Sequence, residues 1–298
     1  MLTKLQSIIE MAQKRGPKRF AVAGAHGLSI LKAIQTAQDL DIMTPVLIGN
    51  KKEIVRFARE IDLDLKRMPI YDIIDNQKIA RKAAELVHRG EADIIMKGNI
   101  LTPILLKAVL NQKYDLRSGQ LLSHVALMEI PTYHKLILIT DSGVVIQPAL
   151  EQRIGILQNA IQVLRRLGID PIKIAILSAT EKINPVFPET MDADQLVRMA
   201  GEGKFGNVIV EGPMALDIAF SREAAEIKRY PSKVAGDPDI LLVPDISCGN
   251  ILAKGLVYLA GARLCGVIVG AKIPVALISR AEHAQAWVSS IALTSVLA

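Results

Sequence analysis

Two cations stand immediately after apolar, strand-like runs: Lys97 after ADIIM, and Arg280 after PVALIS. A charge in that position rarely serves the fold, and ligands of parallel sheets gather beyond the carboxyl ends of strands. The chemistry that follows is recognition of an anion. Gly98 and Asn99 follow Lys97, Ser279 precedes Arg280, and Glu282 and His283 come just after it. Other apolar runs end in equally small, polar stretches: AGAHG (23–27), Thr140-Asp141-Ser142-Gly143, SATEK (178–182), EGP (211–213) and PDISCGN (244–250). Small residues let the backbone approach a ligand, and the helix N-termini that follow supply N–H groups for negative charge. The tetrapeptide GNIL occurs twice, at 98–101 and 249–252. Either both copies are strand-to-helix turns lining one polar cleft, or the echo reflects only the preference of turns for Gly and Asn. Asp141 is a base, a metal ligand or, by default, a helix cap. His124, in LSHVALME, is as readily a packed side chain as a functional one.

The signatures of several enzyme classes are missing. G-x-x-x-x-G-K-[ST], G-x-S-x-G and G-x-G-x-x-G do not occur, which removes support for a P-loop nucleotide site, a hydrolase elbow and a dinucleotide fingerprint. The five histidines show no H-x-x-x-H spacing, and carboxylates do not cluster, so no metal site is expected.

Positioning these residues requires alternating elements, and the chain supplies them. RFAVAGA, TPVLIGN, ADIIMKGN, KLILITD, IKIAILSA, NVIVEGP, PDILLVPD and CGVIVGAKIPVALIS are strand-like, each followed by a helical stretch. Continuous Ile/Val/Leu strands between amphipathic helices predict an α/β fold with a largely parallel sheet covered on both faces. The longest periodic segment, 149–167, predicts a helix that follows Pro148, ends at Gly168 and opens a second domain. Alternation breaks over 110–134, the expected place for a hinge or a strand exchange. Half of the 298 residues are hydrophobic and 4% are aromatic, so aliphatic side chains must build the core. No run approaches the ~18 apolar residues of a membrane span. The N-terminus lacks a continuous signal-peptide core, and two cysteines make no disulfide scaffold, so a cytoplasmic protein is expected. The net charge of +6 and pI near 9.2 favour anionic partners. Basic stretches at 14–19 and 51–59 lack stacking aromatics and read as solvated helix faces rather than a nucleic-acid surface.

The ordered set MKGNILTPILLKAVLN, LRSG, LSHVALMEI, ITDSGVVIQP, LSATEKINPVFPETMDADQL, EGPMALDIAFS, AGDPDILLVPDISCGNILAKGLVYLAGA and GVIVGAKIPVALISRAEH resembles the phosphate acetyl/butyryltransferase family, most of all its butyryl branch. The resemblance covers nearly the whole chain. It implies two three-layer α/β domains of isocitrate/isopropylmalate dehydrogenase-like architecture with an interdomain cleft. Residues 1–120 plus 269–298 would form the first lobe, completed by the C-terminal strand and helix, and 121–268 the second. The implied activity is reversible acyl transfer between coenzyme A and inorganic phosphate, with acyl-CoA and phosphate as partners and no metal or bound cofactor. Neither nucleic acid nor membrane is a partner, and a homodimer or larger homo-oligomer is implied.

Carried over residue by residue, Ser279 and Arg280 match a Ser-Arg pair that stabilises developing negative charge in this family. Lys97, Gly98, Asn99, Ser123, His124, Thr140 to Gly143, Asn250 and Lys272 match substrate-binding segments. Two departures stand out. The acetyl branch has a proposed base where this chain has Ala286, leaving Glu282 as the candidate. An acetyl-branch arginine corresponds to Lys107, which keeps charge but loses the bidentate fork. The alternatives are a phosphate acetyltransferase, a metal- and NAD-dependent β-decarboxylating dehydrogenase, and a non-catalytic coenzyme A-binding regulatory module.

Overall fold

The computed structural model describes residues 2–277 and 284–298. The chain opens with α1 (Gln6–Arg15), then β1 (Lys18–Ala23), α2 (Leu28–Asp39), β2 (Met43–Gly49) and α3 (Lys51–Glu60). Next come β3 (Ile70–Asp72), α4 (Asn76–His88), β4 (Ile94–Lys97) and α5 (Thr102–Val109). The middle of the chain holds β5 (Ser123–Glu129), β6 (Ile137–Thr140), α6 (Leu150–Arg166), β7 (Ile172–Leu177), α7 (Pro188–Gly201) and β8 (Val208–Met214). After it follow α8 (Leu216–Phe220), α9 (Arg222–Ile227), β9 (Ile240–Leu242) and α10 (Ile246–Ala260). The C-terminal return is β10 (Arg263–Val269), β11 (Val275–Ala276) and α11 (Ala284–Leu297).

These elements form two three-layer α/β units. Unit A comprises Leu5–Gln120 and Leu264–Ala298; unit B comprises Leu121–Arg263 together with residues 2–4. Unit A orders its strands β3-β2-β1-β4-β11-β10, all parallel except the β10–β11 pair. Unit B orders its strands β5-β6-β9-β7-β8, parallel except for β5 against β6. The run 265–279, read as one strand from its continuous apolar character, thus contains β11 and most of β10, which pair antiparallel.

Local chemistry sets the helix ends. Asn50 caps α3 by accepting from the N–H groups of Lys52 and Glu53, Asp75 caps α4 and Asp245 caps α10. Gly261, at φ 65°, terminates α10 in the left-handed conformation that lacks a Cβ penalty. The helical stretch after β8 breaks at Ser221, whose hydroxyl caps α9. The core is aliphatic, as the composition requires, with Trp287 on α11 its largest fully buried side chain. Four hydroxyl residues of α11, Ser289, Ser290, Thr294 and Ser295, are also buried. The Ser290 hydroxyl accepts from Gly266 N–H and donates to Ala286 O, so it adds no orphaned polar group to the interior. Among the described residues, no helix is long and apolar enough to cross a membrane.

Candidate active site

In unit B the strand pairing itself creates the site. β5 runs antiparallel to β6 with Ala126 opposite Ile139, so the first residues of β5 lie against the last residues of β6. That register brings His124 beside Asp141 and Ser142. The next strand, β9, runs parallel to β6, and its following residue Val243 donates N–H to Thr140 O at 2.9 Å. Thr140, Asp141, Ser142 and His124 are all buried. The Asp141 carboxylate is the organiser. One oxygen accepts His124 N–H at 2.9 Å, and the other accepts Gly143 and Val144 N–H at 2.7 and 2.8 Å. Asp141 is therefore a loop pin and not the helix cap that its position suggested, since α6 begins only at Leu150.

The imidazole of His124 is held from several sides. Its Nδ1 lies 2.9 Å from Ser142 Oγ, and Thr140 Oγ1 donates to its carbonyl at 2.9 Å. A side chain at Gly143 would start 3.0 Å from the ring, so the absence of a Cβ makes the seat. Burial pushes the imidazole pKa below its ordinary value, against the pull of the Asp141 charge. Asn250 Nδ2 reaches Ser142 O at 3.5 Å.

Asn250 and Gly249 correct the expectation drawn from the repeated GNIL. The first copy is a strand-to-helix turn between β4 and α5, whereas the second lies inside α10. Gly249 serves close packing there: a Cβ would stand 2.7 Å from Asp141 O and 2.9 Å from Ser142 Cα. The same four letters thus do two different jobs.

Ser123 is fully buried, and its hydroxyl accepts from Asn159 Nδ2 at 2.8 Å. Asn159 and Arg153, both on α6, are supports that the sequence reading missed. Arg153 is buried, pairs with Asp192 at 2.9 Å and donates to the carbonyls of Val243 and Pro244, fixing the chain just beyond β9. Their signal was a polar side chain on the apolar face of the longest helix.

In unit A three strand tips are stapled together. Gly24 and Ala25 N–H both donate to Ile48 O at 2.9 Å; Gly98 N–H donates to Ala23 O and Asn99 N–H to Gly24 O, at 2.8 and 2.7 Å. Lys97 ends β4 buried, its ammonium 3.3 Å from Gly98 O, while Asn99 is exposed. β11 runs parallel to β4, so the chain leaves β11 at the same end of the sheet as Lys97. The catalytic candidates Ser279, Arg280 and Glu282 fall in 278–283, outside the described residues. Lys272 is half exposed and pairs with Asp115 at 2.7 Å, holding that carboxyl below its ordinary range. Lys107 lines a groove of about 260 Å³ between α4 and α5 with Arg81, Gln77 and Asn111. The buried Lys97 ammonium at the β4 tip suits anion binding, and the hydroxyls and imidazole fixed around Asp141 at the β6 tip suit proton transfer.

Comparison with known proteins supplies the class. The family model described as phosphate acetyl/butaryl transferase matches residues 4–83 and 74–295. A phosphate acetyltransferase of Thermotoga maritima is 40% identical over 294 residues, 99% of each chain. A phosphate butyryltransferase of Clostridium acetobutylicum is 38% identical over 298 residues, covering 100% of this chain and 99% of its own. Among solved structures, a branched-chain phosphotransacylase from Enterococcus faecalis superposes with a TM-score of 0.81 at 34% identity, over 94% of this chain and 99% of its own. The α/β fold and these full-length matches make the protein an acyltransferase. Within that class, it belongs to the phosphate acetyl/butaryl transferase family.

Proposed function

We propose that this acyltransferase moves a short, butyryl-like acyl group reversibly between coenzyme A and inorganic phosphate, giving an acyl phosphate. The observation that carries the reading is the end-to-end match to a phosphate butyryltransferase. In the thioester-consuming direction, a phosphate oxygen attacks the carbonyl carbon, the C–S bond breaks, and the proton lost by phosphate ends on the coenzyme A sulfur. These atoms balance with the two substrates alone. Negative charge accumulates on the carbonyl oxygen, and preorganised donors aimed at it are the largest catalytic contribution. Arg280, with its planar fork, and Ser279, with its hydroxyl, take that role in the proposal. Lys97, Asn99 and the segment Thr140 to Gly143 are assigned to phosphate and acyl-phosphate contact. Lys107, beside Arg81 in its groove, is offered to the phosphates of coenzyme A. A second reading, phosphate acetyltransferase, is supported by the 40% identity to the Thermotoga protein.

The same proposal places the enzyme in the cytoplasm as a homodimer or larger assembly. Two free cysteines, one of them buried, support the first part. Exposed Ile251, Tyr258 and Leu259 on α10 support the second, since another copy would withdraw them from water; sedimentation measures it.

The test is a panel of acyl-CoA thioesters with phosphate, following free thiol. Phosphate-dependent release is expected, fastest with butyryl-CoA; one methylene is worth about 1–3 kcal/mol, so acetyl-CoA would be slower by roughly 10-fold or more. Arg280→Ala should lower kcat by about 10²–10³-fold. Thiol release that ignores phosphate, or an Arg280→Ala enzyme with unchanged kcat, would refute the proposal.

A further inference from the structure

We infer that His124 is the proton carrier of the reaction, accepting the coenzyme A thiol proton at Nε2 and passing it to the departing phosphate oxygen. The inference rests on the proposed acyl transfer and assigns a role to a buried group that the mechanism above leaves idle. In the thioester-forming direction the balance is complete. The S–H bond breaks toward Nε2, sulfur bonds to the acyl carbon, the acyl C–O bond breaks, and the leaving phosphate collects the proton from the imidazolium.

Three observations carry it. First, the ring is held from several sides at once: Ser142 Oγ lies on Nδ1, Asp141 fixes the His124 backbone N–H, Thr140 fixes its carbonyl, and Gly143 leaves room for the ring. Second, the two nitrogens are differentiated. Ser142 occupies Nδ1, while among the described residues no hydrogen bond reaches Nε2. With the proton on Nδ1 and donated to Ser142, Nε2 carries the free lone pair that a base requires. Third, the carboxylate in this cluster is committed elsewhere. Asp141 spends both oxygens on backbone N–H groups, leaving the imidazole as the group free to take a proton.

The surroundings set its charge state. The β6 tip presents Asp141, α6 presents Asn159 through Ser123, and α10 presents Asn250 through Ser142 O; of these described residues, only Asp141 carries charge. Burial outweighs that carboxylate and keeps the ring neutral, hence a base, at neutral pH. A general base contributes about 10²–10⁴-fold.

The experiment measures kcat for butyryl phosphate plus coenzyme A between about pH 4 and 8, a window that reaches well below the ordinary histidine value. Wild type should lose activity on the acid side, with an apparent pKa below the ordinary histidine value of about 6.5. His124→Gln should lower kcat by about 10²–10⁴-fold and abolish that acid limb, with KM little changed. Ser142→Ala, which takes away the hydroxyl on Nδ1, should cost kcat about tenfold. A His124→Gln enzyme that keeps wild-type kcat and its acid limb overturns the inference. Should that variant fail to fold, the wild-type profile decides, since a flat profile overturns the inference and an acid limb supports it. Wild type that makes no acyl-CoA from any acyl phosphate refutes the functional reading first, and this inference with it. Wild type that turns over normally, without these histidine effects, refutes the inference alone.

Discussion

Gly98→Ala removes nothing and adds one methyl group, yet the geometry of unit A makes it a severe change. A Cβ at residue 98 would meet Gly24 O far inside contact distance, with Gly24 C at 2.8 Å and Ala23 O at 3.0 Å. Carbon and carbonyl oxygen approach to about 3.3 Å at closest in favourable contacts. The obstacle is backbone on the β1 tip, which cannot rotate aside as a side-chain end would. That tip is also pinned by the bonds from Gly24 and Ala25 to Ile48 O and by those from Gly98 and Asn99. Moving β4's tip away strains or breaks the 2.8 and 2.7 Å bonds to Ala23 O and Gly24 O. Overpacking costs about 1–3 kcal/mol, and two weakened backbone bonds add about 0.5–1.5 kcal/mol each. The sum is roughly 2–6 kcal/mol, and at about 2–4 °C per kcal/mol for domains of this size Tm should fall by about 5–20 °C.

Lys97 and Asn99 flank the methyl group, so the same displacement should reach catalysis. A misplacement of about 1 Å costs around 10²-fold. Differential scanning calorimetry with the thiol assay reads both effects. Gly201→Ala is the control: the glycine ends α7, is exposed and has no neighbour within 4 Å of a Cβ. Adding the methyl there should stabilise by about 0.4–1 kcal/mol. If Gly98→Ala melts within about 2 °C of wild type and turns over normally, the tips are not packed as described and the steric argument falls.

Two further perturbations probe unit B. Asp237 accepts from Lys135, Lys173 and His134 at 2.8, 2.6 and 2.8 Å, and Lys135 also pairs with Asp239 at 2.6 Å. Burial pushes the Asp237 carboxyl up, but these donors outweigh it and hold it far below the usual carboxylate range. A depressed pKa adds stability above the unfolded value of about 3.9, and that stability is lost as pH falls through and below it. Asp237→Asn should cost about 2–4 kcal/mol at pH 7, less than a fully broken buried pair because Lys135 keeps Asp239. It should also flatten the acid side of a stability–pH curve from chemical denaturation; an unchanged acid slope would refute the pairing. Asp141→Asn leaves one acceptor oxygen for three N–H donors and should cost about 1–3 kcal/mol. Its kcat should fall with it, and normal denaturation and turnover together would show that the carboxylate is not the loop's organiser.

What could be read from the sequence followed from periodicity, and what could not be read followed from pairing. Strand and helix alternation exposed the α/β class because buried parallel strands leave continuous apolar runs, and the tips could be named because polar residues end those runs. Periodicity is blind to direction, however. An antiparallel β5 looks the same in sequence as a parallel one, and only the antiparallel register places His124 against Ser142, eighteen residues further along the chain. The same blindness explains GNIL. A Gly that admits a neighbouring backbone is identical in sequence whether it sits in a turn, as Gly98 does against Gly24, or in a helix, as Gly249 does against Asp141. A helix cap was the default among three readings of Asp141, and a loop took the carboxylate instead for a related reason: Ser/Thr/Asp side chains satisfy whichever backbone N–H groups the fold brings near, and a loop offers them as well as a helix does. Lys97 could be singled out because a cation rarely follows an apolar run, and the structure adds that it is buried at the β4 tip with its ammonium 3.3 Å from Gly98 O. His124 stood open between a packed and a functional reading, because an imidazole inside LSHVALME fits a hydrophobic strand, and the family resemblance alone set it among the substrate-binding segments. Its possible chemistry is evident only once the second strand delivers the hydroxyl that distinguishes one ring nitrogen from the other.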